Sequence, residues 1–140
     1  MLLRFYRPLH EGVAGRALGK VITAPIDMVL SEHRVTQPDV VFISRERFDI
    51  IQRVMMGPAD LICEVISLGS RNLDRIEKRD LYEQYGVKEY WMVDPEARAI
   101  DVLHLERGRY ELVVRSQPGE KAESRLLPGF QVDLGHLLAE

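Results

Sequence analysis

The chain has a single cysteine, Cys63, in 140 residues. No internal disulfide can form, so stability must come from burial and hydrogen bonding. Cys63 lies in the apolar run Leu61-Ile62-Cys63, where a thiol acts as a small buried hydrophobe rather than a nucleophile. A basic excess is also lacking: 19 Lys and Arg stand against 22 Asp and Glu, a net charge of −3. Whole-chain electrostatics therefore excludes a general nucleic-acid sponge but leaves room for a local basic groove. No apolar run approaches the ~20 residues of a membrane helix, so no membrane association is expected. The start, Met1-Leu2-Leu3-Arg4-Phe5-Tyr6-Arg7-Pro8, has no long apolar stretch before a small-residue cleavage site, and a cytoplasmic location is the expectation. The four histidines (His10, His33, His104 and His136) show no zinc-type spacing. There is no repeat and no low-complexity linker.

What is present builds a core. Hydrophobic residues make up 46%, and the length suits one domain over 1–140. Leu2 to Tyr6 read as the end of a helix broken at Pro8, followed by a glycine-rich loop. Val21 to Leu30 read as a strand pair or one bent strand, interrupted by Pro25. Val40-Val41-Phe42-Ile43 and Leu61 to Ile66 are unbroken apolar runs, the pattern of strands covered on both faces. Arg45 to Arg53 reads as a short helix. The clearest helix spans Asn72 to Tyr85: Asn72 is a plausible N-cap, Gly86 a stop, and Leu73, Ile76, Leu81, Tyr82 and Tyr85 a buried side. Then come a strand from Glu89 to Val93, a turn at Asp94-Pro95, and a hairpin of Ala99 to Leu105 with Tyr110 to Arg115. One more short strand falls within Leu126 to Leu134, and His136 to Glu140 read as a helical stub. One helix crossing between central strands predicts an α/β or α+β domain with a mixed sheet.

Two acids stand out by position. Asp39 opens the Val40 strand. Glu64 lies inside an apolar strand, where a carboxylate is costly unless paired, protonated or metal-bound. If the strands are neighbours, both carboxylates converge at one sheet end as hard oxygen ligands suited to Mg²⁺, able to activate water and stabilise charge on a phosphate. The plainer reading of Glu64 is a structural salt bridge, for instance to an arginine. Lys78 lies at i+4 from Asp74 and i−4 from Tyr82 on one helix face; an Asp74–Lys78 surface pair is its plain reading. Arg71, Arg75, Lys78 and Arg79 put positive charge near the two acids. Asp60, Ser67 and Asp94 read as strand-entry and turn residues, and Tyr90 and Trp91 as core rather than base-stacking platforms.

The blocks Gln37-Pro38-Asp39-Val40-Val41-Phe42 and Pro58-Ala59-Asp60-Leu61-Ile62-Cys63-Glu64-Val65-Ile66-Ser67 resemble the Uma-type family of the PD-(D/E)xK nuclease superfamily. So do Asp74-Arg75-Ile76-Glu77-Lys78, Tyr82 and Tyr85-Gly86-Val87-Lys88-Glu89-Tyr90-Trp91-Met92-Val93-Asp94-Pro95. The resemblance runs from about Gly19 to Leu105, and the flank 1–18 is short relative to the family. It implies an α/β restriction-endonuclease-like core and Mg²⁺- or Mn²⁺-dependent hydrolysis of phosphodiester bonds, in DNA rather than RNA. By the same resemblance Asp39 and Glu64 are metal-binding acids and Val65 offers its backbone carbonyl. The superfamily lysine expected two residues after Glu64 is Ile66 here, and Lys78 is the replacement, positioned to orient water or stabilise the phosphate. The alternative is a catalytically inactive nuclease-fold protein serving as an interaction module or homodimer.

Overall fold

The computed structural model describes residues 2–14, 18–66 and 72–138. Its centre is the pair of apolar runs. Strands β4 (Val40–Ser44) and β5 (Leu61–Val65) are buried along almost their whole length, as unbroken apolar sequence requires of strands covered on both faces. They lie in the middle of a six-stranded sheet completed by β1 (Gly19–Thr23), β6 (Glu89–Asp94), β7 (Ala99–Glu106) and β8 (Arg109–Ser116), in the order β1-β4-β5-β6-β7-β8. All pairings are antiparallel except β5 with β6. That parallel pair needs a crossover, and helix α2 (Asn72–Gln84) supplies it. The mixed α/β class expected from the sequence is the class observed.

Two apolar cores sit on opposite faces. One joins Val40, Phe42, Leu61, Cys63, Trp91 and Val93 to Phe5 and Leu9 of helix α1 (Leu2–Ala14) and to the C-terminal segment. The other joins Val41, Ile43, Ile62 and Tyr90 to Tyr82 of α2 and Met28 of β2 (Met28–Ser31). The odd–even split follows the period-two alternation of strands.

Five elements differ from the sequence expectation. Helix α1 does not end at Pro8 but runs through it. A mid-helix proline removes one backbone hydrogen bond; burial of Phe5 and Leu9 on the flanking turns offsets that loss. Ile76 is not on the buried side of α2 but 54% exposed. Strands β3 (Arg34–Thr36) and β9 (Lys121–Glu123) were not expected; each forms a two-stranded ribbon, with β2 and with β10 (Gln131–Asp133). The short helix expected over Arg45 to Arg53 is a 3-10 helix that stops at Ile50. The chain ends its described part in the stub α3 (Leu134–Leu138). No helix among the described residues is long and apolar enough to cross a membrane.

Candidate active site

The β4–β5 register pairs Val40 with Cys63 and Val41 with Ile62. Asp39 directly precedes Val40 and Glu64 directly follows Cys63, so the two acids leave the same end of this ladder. Asp39 is fixed there from both sides. Its carbonyl accepts the Ala24 N–H at 2.8 Å, and its Oδ2 accepts the Val65 N–H at 2.8 Å. The contact that Val65 makes to this cluster is therefore that N–H.

Glu64 is 5% exposed and carries its own donor shell. Tyr82 donates its hydroxyl to Oε1 at 2.9 Å, and Tyr90 donates to Oε2 at 2.8 Å. Burial first, and then the neighbouring Glu64 charge, push both phenols above their ordinary pKa. They stay protonated donors across the working pH range. The two rings meet edge to face at 5.1 Å, which fixes where the hydroxyls point.

Lys78 reaches this shell from α2. Its Nζ lies 3.4 Å from Oε1 and 3.3 Å from Oε2 of Glu64, while its side chain remains 49% exposed. The plain reading of Glu64 as an ion pair holds, with lysine rather than arginine as the partner. The side chain of Asp74 lies outside the described residues, as do Ser67 and Arg71.

The neighbouring residues fall into structural roles. Asp94 accepts the N–H groups of Glu96 and Ala97, as turn chemistry requires, and pairs with Arg75 at 3.4 Å. Asp60, at the opposite end of β5, is buried against Arg47 and Lys88 at 3.2 and 3.1 Å and accepts the Ser44 N–H. Burial pushes its carboxyl up, but Ser44, Arg47 and Lys88 together hold it below the usual range. The Cys63 thiol is pushed well above its ordinary value by burial and by Asp39 and Glu64, so it is inert as a nucleophile. Trp91 and Tyr90 are buried, in keeping with their reading as core.

Sequence reasoning missed two features. Tyr82 and Tyr90 were read as packing residues, yet their hydroxyls define the setting of Glu64. Glu89, completely buried at the start of β6, was read only as a strand end. A glutamate directly before Tyr90 in an apolar strand is the same signal that singled out Glu64.

The cluster suits a hard divalent cation in its donor chemistry. Mg²⁺ takes one or two carboxylates and keeps several waters, so two carboxylates at one end of the ladder satisfy it without a protein cage. Among the described residues there is indeed no group of three or more His, Cys, Asp or Glu side chains placed to hold a metal. Each Glu64 oxygen has about two acceptor positions. The phenols take one on each, and Lys78 straddles what remains.

Comparison with known proteins places the family and the fold. A family model described as "Putative restriction endonuclease", the Uma2 family, matches residues 1–135. The chain belongs to the Uma2 family. The match takes in α1 and the C-terminal strands as well as the segment from Gly19 to Leu105 quoted above. No curated protein sequence matches the chain. Among solved structures, a crystal structure described as a putative nuclease belonging to DUF820, from Anabaena variabilis ATCC 29413, superposes with a TM-score of 0.78 at 12% identity, covering 98% of this chain and 77% of that one. A cryo-EM structure of a DrdV–DNA complex superposes with a TM-score of 0.51 at 16% identity, covering 83% of this chain and 10% of that one. At these identities the likeness establishes a shared fold.

Proposed function

We propose that this chain is a metal-dependent nuclease that hydrolyses phosphodiester bonds in DNA at the cluster of Asp39, Glu64 and Lys78. The observation that carries the reading is the placing of Asp39 and Glu64 at one end of the β4–β5 ladder, with Asp39 Oδ2 on the N–H of Val65 and the Lys78 ammonium 3.3 Å from the Glu64 carboxylate. Family membership supports a nuclease, and the fold shared with a protein captured on DNA supports DNA as substrate.

Asp39 and Glu64 would hold the cation, with the Val65 carbonyl as a third oxygen. A bound Mg²⁺ or Mn²⁺ supplies a water of lowered pKa and a positive charge beside the phosphate. The chain's residues prepare that setting. Val65 and Ala24 hold Asp39 in place. Tyr82 and Tyr90 orient both Glu64 oxygens and remain neutral. Lys78, half in solvent, can exchange Glu64 for a phosphate oxygen and oppose the charge that grows as water attacks phosphorus. Its arrival from α2 answers the absence of a lysine at Ile66.

The competing reading, a non-catalytic module, draws on the same cluster, because Tyr82, Tyr90 and Lys78 already suffice to satisfy a structural carboxylate. Cleavage assays on single-stranded, duplex and RNA substrates in EDTA, Mg²⁺ and Mn²⁺ separate the two. The nuclease reading expects metal-dependent cleavage that Asp39→Asn or Glu64→Gln reduces by roughly 10³-fold, the equivalent of the several kcal/mol that a metal centre contributes. Absence of cleavage on every substrate, or cleavage indifferent to both substitutions, overturns it.

A further inference from the structure

Glu64 is in register with Met92 on the neighbouring strand β6. From there an open cleft of about 460 Å³ runs across the sheet toward β8, along the side of α2. Ile66, Met92 and Ala99 are apolar lining on the sheet side, and the half-exposed Ile76 is apolar lining on the helix side. One strand spacing, about 4.8 Å, separates the Met92 backbone from that of Glu64.

The charge in this cleft is specific. Its lining carries Arg75, Arg79 and Arg115 against Asp94 and Asp101, three positive and two negative, a net of +1. Arg115 is spent on Asp101 through two hydrogen bonds of 2.7 and 2.8 Å, and Arg75 pairs with Asp94. Arg79 is in no ion pair among the described residues. Arg75 also keeps a buried Nε donor without a hydrogen-bond partner.

A cleft in the ~300–1,000 Å³ range of small-ligand sites, apolar on two sides and with one uncommitted guanidinium, does not admit a duplex but does admit a single nucleotide. We propose that it holds one unpaired nucleotide of the substrate strand, the base lying between Ile76 and the Met92–Ile66 floor and a phosphate drawn to Arg79. The two Arg–Asp pairs at its edge offer donors and acceptors to the base. This inference rests on the reading of Asp39, Glu64 and Lys78 as the place where that strand is cut. It makes frayed, flapped or single-stranded DNA the preferred substrate over uninterrupted duplex.

Fluorescence anisotropy in EDTA, where binding is read without cutting, tests it with a labelled short oligothymidylate and a blunt hairpin duplex. The single strand should bind about tenfold tighter than the duplex, in line with the stacking of one base. Ala99→Trp, which fills the cleft from β7, should remove that preference. Arg79→Glu, at an exposed helix position that tolerates substitution, should weaken single-strand binding about tenfold and keeps the test decisive if the tryptophan variant fails to fold. Equal binding of duplex and single strand by the wild type overturns the proposal, as does a folded variant of either kind that binds the single strand as the wild type does. If single-strand binding depends on the cleft while no metal supports cleavage, the catalytic reading falls and the cleft stands. If Glu64→Gln abolishes cleavage while cleft variants change nothing, the cleft falls and the catalytic reading stands.

Discussion

Glu64 and Glu89 are both buried glutamates in adjacent parallel strands, and they do opposite things. Glu89 is completely buried on the α1 face, where the whole carboxylate is enclosed. Trp91 Nε1 and the Ser124 hydroxyl donate to one oxygen, the backbone N–H groups of Arg125 and Leu126 donate to the other, and His104 Nδ1 lies 3.1 Å away. That shell fills the roughly four acceptor positions of a carboxylate with neutral donors. It pins the C-terminal segment to β6. Glu64 lies on the α2 face, at the other end of the parallel pair. Two phenols fix its orientation, its remaining acceptor capacity is met by a half-exposed lysine, and Asp39 lies at the same end of the ladder, bonded to the N–H of the next residue, Val65. Burial alone therefore does not single out a candidate site. What separates Glu64 from Glu89 is a charged partner that is itself half in solvent, Lys78.

Substitutions sharpen that contrast. Glu89→Ala should be the most damaging to the fold, about 3–5 kcal/mol, because it strands several buried donors at once. Urea unfolding measures it. Glu64→Gln keeps an acceptor for one phenol and leaves the other hydroxyl to accept from the amide N–H, and should cost the fold less while removing activity; equal destabilisation by the two changes would erase the distinction. Tyr90→Phe should cost about 1.5–3 kcal/mol, the range for a hydrogen bond to a charged group, and should lower activity by loosening Glu64. A variant as stable and active as the wild type would show that the phenol does not set the carboxylate.

The smallest expected effect concerns Asp60, the third buried acid. Its carboxyl is held below its ordinary value of 3.8 in the folded state. The unfolded chain thus binds its proton at higher pH than the folded one. The stabilisation is full above about pH 4 and is lost as pH falls through the lowered folded value. The difference in Tm between wild type and Asp60→Asn should be constant from pH 7 to pH 5 and shrink below pH 4. A gap that widens in acid would contradict the assignment of Ser44, Arg47 and Lys88 as partners of a carboxylate.

Much of the frame was legible because it rests on local pattern. The unbroken runs at Val40 and Leu61, the stop at Gly86 and the turn at Arg107-Gly108 each mark an element within a few residues. Asp39 and Glu64 were legible because a charge in or beside an apolar strand conflicts with its surroundings. The cage of Glu89 was not, since Ser124, Arg125 and Leu126 lie 35, 36 and 37 residues away along the chain. Tyr82 and Tyr90 lie 18 and 26 residues from Glu64, and their hydroxyls look like ordinary core aromatics until the fold brings them together. The short ribbons of β3 and β9 have three residues each, too few to show a period.

The most direct test of the central claim is a calorimetric titration of the protein with Mn²⁺. Wild type and Glu89→Gln, if folded, should bind the ion in the micromolar-to-millimolar range, and Asp39→Asn and Glu64→Gln should not. Wild-type protein that binds no ion, or binding retained in Glu64→Gln, would contradict the assignment of Asp39 and Glu64 as a metal site.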